Sequence, residues 1–202
     1  MRPSETRPGT TSPSKRELTH ERIVEVAARA IRRGGYDGVG VADIMKEAGL
    51  THGGFYAHFD SRNAMLTEAL ARAGRVSEAA LAERIQACQA RGVSPLRAII
   101  EAYLSEAHLD HVEQGCPVAA LSSEMPRQAP EVLAASAERV QALIQRLQLA
   151  LPAGDEAKAQ AQLILSTMLG AVQLARVLGA NAQGRALLAN AGKSLLAQYD
   201  KP

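Results

Sequence analysis

From Ile23 onward, apolar residues recur at three- and four-residue spacing, and nearly every such run is closed by glycine or proline. This period is that of one face of an α-helix, and Gly or Pro ends or restarts a helix rather than continuing it. Ile23, Val26, Ala27, Ala30 and Ile31 form the first stripe, stopped by Gly34 and Gly35. Val41, Ile44, Met45 and Ala48 form the second, stopped by Gly49. Composition supports the same reading: only 3% of the chain is aromatic, and it is rich in Ala, Leu, Arg, Glu and Gln, the residues that lose least on entering a helix. The expected fold is all-α, with about nine helices.

The later punctuation extends this map. Thr51 caps a short helix HGGFYAHF. Another begins at Asp60 or Ser61, with Met65, Leu66, Ala69 and Leu70 on its apolar stripe, and runs to about Arg91. Ser94 before Pro95 places a capping residue ahead of the one helical position that suits proline, predicting a helix from Pro95 to Gln114. Gly115, Cys116 and Pro117 break and restart the chain. Helices are then expected over about Glu131 to Ala150, Asp155 to Leu178 and Ala182 to Tyr199. The stretch from Leu163 to Leu178 is apolar over too much of its circumference for a monomer surface, which places a partner against it. Three units are expected: a basic, mobile arm over residues 1–14, a compact helical unit over 15–60, and a helical bundle over 61–202. No run approaches the roughly 20 apolar residues of a membrane span, and no leader precedes the arm, so a cytoplasmic protein is expected. Cys88 and Cys116 are too few for a disulfide scaffold.

Charge and aromatic placement both single out the N-terminal third. Residues 1–75 carry a net charge of +3 and the rest −1, and four of the six aromatic rings, Tyr36, Phe55, Tyr56 and Phe59, fall within 24 residues. Two short helices joined by a Gly-containing turn, Val41 to Arg62, have helix-turn-helix dimensions. Gly53 and Gly54 are poor helix formers whose missing side chains suit a close approach of backbone to a ligand. Tyr56, His58 and Arg62 stand beside them as candidate phosphate contacts, while Phe55 and Phe59, four apart, bury against the first helix.

The stretch GVGVADIMKEAGLTHGGFYAHFDSRNAML resembles the DNA-binding segment of TetR-family transcriptional regulators, over about Glu17 to Leu70 and most strongly over Gly49 to Phe59 with Ser61 and Arg62. The resemblance implies a homodimer that binds a palindromic double-stranded operator, paired through its last two helices, with a C-terminal domain that binds a small-molecule effector and releases the DNA. It implies that Thr51, His52, Gly53 and Gly54 open the recognition helix, with Thr51 and His52 reaching base edges, and that Tyr56, His58 and Arg62 meet phosphates. Gly40 stands where relatives often carry a capping Ser or Thr, so this chain has no side chain for that contact. The alternative is a helical ligand-binding or enzyme module that keeps the N-terminal fold without operator binding.

In the bundle, Cys116 follows Gly115 and precedes Pro117, at the start of a helix where the dipole favours a thiolate. That placement suits an oxidant or electrophile sensor, as well as a small buried apolar residue. Tyr103, Cys116, Met125 and Met168 have the character of effector-pocket residues, and equally of ordinary core. His108 and His111 share a helix face but lack a third ligand in register, so no metal or cofactor is assigned. Gly192, Lys193 and Ser194 imitate the end of a phosphate-binding loop, but Leu187 occupies the upstream glycine position. No catalytic centre is assigned, and the chain is read as a non-enzyme.

Overall fold

The structure is a computed structural model that describes residues 13–200. The arm expected over residues 1–14 lies outside the described residues, apart from Pro13 and Ser14. Nine α-helices and three short 3-10 turns make up the described chain, with no strand among its residues.

Helix α1 (Lys15–Gly34) opens on a capping box, Glu17 N–H donating to Ser14 Oγ and Ser14 N–H to the Glu17 carboxylate. Its stripe of Ile23, Val26, Ala27, Ala30 and Ile31 is buried throughout. Each such Ile or Val contributes about 1.5–3 kcal/mol relative to exposure. Helix α2 (Val41–Glu47) buries Ile44 and Met45, and its N-cap is Gly40, which has no side chain to offer the first turn. Gly49, at φ +70°, turns the chain through the left-handed region between α2 and the next segment. That segment, His52–Ala57, is a tight 3-10 helix rather than the longer α-helix expected from HGGFYAHF, and Thr51 caps it without a side-chain bond. Two glycines and two buried phenylalanines in eight residues favour the tighter turn.

Helix α3 (Arg62–Gln89) is capped by Ser61, whose Oγ accepts from Ala64 N–H at 3.0 Å. It ends two residues before Arg91, so Cys88 sits in its last turn. The single helix expected from Pro95 to Gln114 is instead α4 (Pro95–Tyr103), α5 (Glu106–Asp110) and a 3-10 turn Val112–Gln114. The break lies at Leu104 and Ser105, where Ser105 Oγ caps His108 N–H and the His108 ring bonds back to the Tyr103 carbonyl. Local capping outcompetes continuation of the helix. Helices α6 (Pro117–Leu121), α7 (Pro130–Ala150), α8 (Ala157–Leu178) and α9 (Ala182–Tyr199) complete the bundle.

Packing runs in a chain of neighbours: α1 on α3, α3 on α4 and α7, α7 on α8, α8 on α9. One continuous core joins the N-terminal helices to the bundle. Helix α8 is by length and composition apolar enough to cross a membrane, contrary to the expectation from sequence. It packs instead between α7 and α9, and leaves Leu163, Leu174, Val177 and Leu178 exposed, Val177 to 84%.

Candidate nucleic-acid interface and the core behind it

The 3-10 segment is pinned from below. Phe55 and Phe59 are 1% and 3% exposed and stack with centroids 5.4 Å apart, and the His20 ring of α1 stacks on Phe59 at 4.5 Å. His20 is itself held by Glu68 of α3 at 2.7 Å. From the end of the segment, the Ala57 carbonyl accepts from Arg16 Nη2 at 2.8 Å. These anchors turn Thr51, His52, Gly53 and Tyr56 to the surface, with Tyr56 72% exposed. The two glycines differ. A Cβ on Gly53 would meet nothing within 4 Å, whereas one on Gly54 would lie 3.6 Å from Met45 of α2. Gly53 is therefore the open approach for a ligand, and Gly54 faces the packing between α2 and this segment.

His58 is half-buried, with Nδ1 buried and unpartnered. Burial, helped by the nearby His20 and Arg16 charges, lowers its pKa below the ordinary imidazole value, so it stands neutral at pH 7. Arg62 points inward: its Nη2 donates to the Tyr36 carbonyl and lies 3.5 Å from that of Val39. It ties the α1–α2 connection to the start of α3. Its neighbour Tyr36 is fully buried, completing the aromatic core.

Behind this face, three contacts lock α1 and the turn that follows it to the segment between His108 and Met125. The buried Arg32 guanidinium donates to the carbonyls of Ala28 at 2.9 Å and Gly115 at 3.1 Å. Burial pulls its pKa down to about 10, which still leaves it charged at neutral pH. Arg33 bridges Glu47 and Glu113, each at 3.0 Å. The Tyr36 N–H donates to Glu124 Oε2 at 2.8 Å, beneath Gly35 at φ +76°, where any side chain would collide with the Glu124 carboxylate. The same segment reaches α8, since Arg176 Nη2 donates to the His108 carbonyl at 2.9 Å and Gln173 donates to Ser122 Oγ at 2.8 Å.

At the centre of this segment, Cys116 is the N-cap residue of α6 and is 4% exposed. Its N–H donates to His108 Nε2 at 3.0 Å, so the ring proton sits on Nδ1 and is donated to the Tyr103 carbonyl at 2.7 Å. Desolvation lowers the His108 pKa to about 4. The Tyr103 ring stands edge-on to His108 at 4.7 Å, and its buried hydroxyl has no hydrogen-bond partner. Tyr103, His108, Gly115 and Cys116 border a cavity of about 20 Å³, roughly enough for one water. Met125 and Met168 are 4% and 1% exposed in the surrounding core and do not border that cavity.

Residues 23–69 match the family model of bacterial regulatory proteins of the tetR family, and residues 92–190 match that of the tetracyclin repressor-like C-terminal domain. The chain belongs to the TetR family of transcriptional regulators. An uncharacterised HTH-type transcriptional regulator of Mycobacterium tuberculosis is 32% identical over 168 residues, covering 78% of this chain and 84% of that protein. A TetR-family regulator from Cytophaga hutchinsonii superposes with a TM-score of 0.78 at 18% identity, covering 94% of this chain and 98% of its own. FadR from Bacillus subtilis, solved in complex with stearoyl-CoA, gives a TM-score of 0.65 at 19% identity over 88% of this chain and 98% of its own.

As a TetR-family protein, the chain is a DNA-binding transcriptional regulator with an N-terminal helix-turn-helix domain, and α2 and the His52–Ala57 segment lie inside the matched residues 23–69. Sequence reasoning named the surface residues of that segment because they are contiguous. It missed the roles of His20, Arg32, Glu124 and Arg176, whose partners lie 48 to 88 residues away in the chain. The Arg32–Arg33 pair in the last turn of α1 was the available signal for one of these, since a basic pair there favours the helix C-terminus whatever else it holds.

Proposed function

We propose that the protein is a cytoplasmic, non-enzymatic, homodimeric repressor that binds a palindromic operator through residues 15–60 and is released by an effector or by modification of Cys116 in residues 61–202. The observation that carries the DNA-binding half is the exposed set Thr51, His52, Gly53 and Tyr56, fixed in one orientation by the Phe55–Phe59 stack beneath. Thr51 and His52 are assigned to base edges, Gly53 to close backbone approach, and Tyr56 and the neutral His58 to phosphates. Gly54 supports the recognition segment from the α2 side. Arg62 acts mainly as a brace, through its carbonyl bonds, and offers phosphate its remaining guanidinium nitrogens.

Dimerisation is assigned to α8 and α9. The exposed Leu163, Leu174, Val177 and Leu178 form an apolar run on α8, and a groove between α8 and α9 is bordered by Leu178, Leu187 and Ala191. Pairing there sets two recognition segments toward half-sites about 34–36 Å apart. Release is assigned to the Tyr103–Cys116 region, with Met125 and Met168 in the core that would have to repack around an effector. A cavity of about 20 Å³ admits no sizeable molecule as it stands, so an effector selects an opened conformation. Either event bears on Gly115 and hence on Arg32 of α1. FadR, of the same fold, has been solved with a small molecule bound, which supports the effector half of the reading.

The test is retardation of the protein's own promoter region. Wild type should bind with an affinity that falls steeply with salt, because phosphate contacts release counterions. A thiol oxidant or electrophile should release wild type and not Cys116→Ser; equal release from both would remove Cys116 from the mechanism.

A further inference from the structure

An open groove of about 700 Å³ lies between α4 and α9, away from every residue assigned above. That volume is in the range of small-molecule sites, roughly 300–1,000 Å³. Its floor is aliphatic, with Ile100 on α4 and Leu104 just past its end facing Leu188 and Leu196 on α9. Gly192 lies between those two leucines on the same stripe of α9, and a Cβ there would come no nearer to Leu104 than 3.6 Å. The groove therefore stays open where any larger side chain would begin to fill it. The flank of α9 that carries Leu187 and Ala191 borders α8 instead, so this stripe is separate from the proposed dimer surface.

The charges on the rim are unequal in their commitments. Asp200 accepts from Arg97 Nε at 2.9 Å and from the Ser94 hydroxyl, and Glu101 is bonded by Arg91 at 3.0 Å with Arg97 3.8 Å away. Both carboxylates are thus neutralised by arginines. Lys193 is exposed on the same rim and has no ion-pair partner among the described residues. An ammonium left unpaired beside a long aliphatic floor matches an apolar chain ending in a negative charge, while a cation would meet only carboxylates already held by arginines.

We propose that the α4–α9 groove binds an elongated apolar molecule with one anionic head group, its chain along Ile100, Leu104, Leu188 and Leu196 and its head at Lys193. This site is independent of both the operator face and Cys116.

Calorimetric titration of the full-length protein with dodecanoate, and with dodecyltrimethylammonium as the same chain under the opposite charge, tests it. Dodecanoate should bind at one site per chain and the cation markedly less. Lys193→Gln should weaken dodecanoate about fivefold, the size of one partly exposed ion pair, and Lys193→Arg should restore it. Gly192→Leu should abolish binding. If that variant does not fold, Ala197→Trp, which fills the groove from an exposed rim position, should do the same. Equal binding of both head groups, or undiminished binding by the filled groove and by Lys193→Gln, would overturn the proposal. So would absence of dodecanoate binding, the outcome if a second copy of the chain covers the groove.

Discussion

His108 has both ring nitrogens committed, one as donor to Tyr103 and one as acceptor from Cys116. A proton added at Nε2 would break the bond to Cys116 in a desolvated site. Its pKa is near 4 in the folded chain and about 6.5 when unfolded, so between those values the unfolded state binds the extra proton. The stability this contributes is fully present above about pH 6.5 and is lost as pH falls toward 4, on the order of 3 kcal/mol in total. Urea unfolding of wild type and His108→Gln across that range should show a steeper decline for wild type; parallel profiles would contradict the assignment. A second residue-scale prediction concerns Gly115, where a Cβ would sit 2.7 Å from the His108 ring. Gly115→Ala should cost about 1–3 kcal/mol, measurable by the same unfolding, because the ring it displaces is fixed at both nitrogens. The position of Cys116 was legible in the sequence because Gly-Cys-Pro is a local helix-start signal. Its surroundings were not, since helical periodicity shows which face is buried but not what distant residue meets it.

At the scale of elements, capping decided where the sequence reading held and where it failed. Ser14, Ser61 and Ser94 each accept an N–H bond at the start of α1, α3 and α4, and those starts were readable. Ser105 is a cap of the same kind inside a stretch whose apolar spacing reads as continuous, so the helix expected to reach Gln114 ends at Tyr103. The recognition segment was legible as a unit but not as a 3-10 helix, because its pitch is set by two glycines together with burial of Phe55 and Phe59, with His20 of α1 stacked on Phe59. Ser61→Ala should lower stability by about 1 kcal/mol, read from chemical denaturation, and should weaken operator binding as the start of α3 frays beneath Arg62. An unchanged unfolding midpoint would mean that the cap carries no weight there.

For the whole molecule, the N-terminal helices and the bundle share one continuous core, so movement of one bears on the other. Beyond the packing of α1 on α3, the polar couplings are specific: Arg32 to Gly115, Arg33 to Glu113, and Tyr36 to Glu124. The apolar run on α8 was legible from composition alone, and the structure leaves Leu174 58% and Val177 84% exposed. Leu174→Glu together with Val177→Glu should give a folded monomer by light scattering, with operator affinity greatly reduced because the two half-sites are no longer engaged together; an unchanged dimer mass would place the interface elsewhere. The central claim, that the His52–Ala57 segment reads an operator, is tested most directly by retardation of the protein's own promoter DNA with wild type, His52→Ala and Tyr56→Ala side by side. Wild type should shift that DNA in preference to unrelated duplex, and both variants should lose the shift while keeping wild-type helix content and dimer mass. Equal retardation by all three proteins, or no preference of wild type for the promoter, would contradict it.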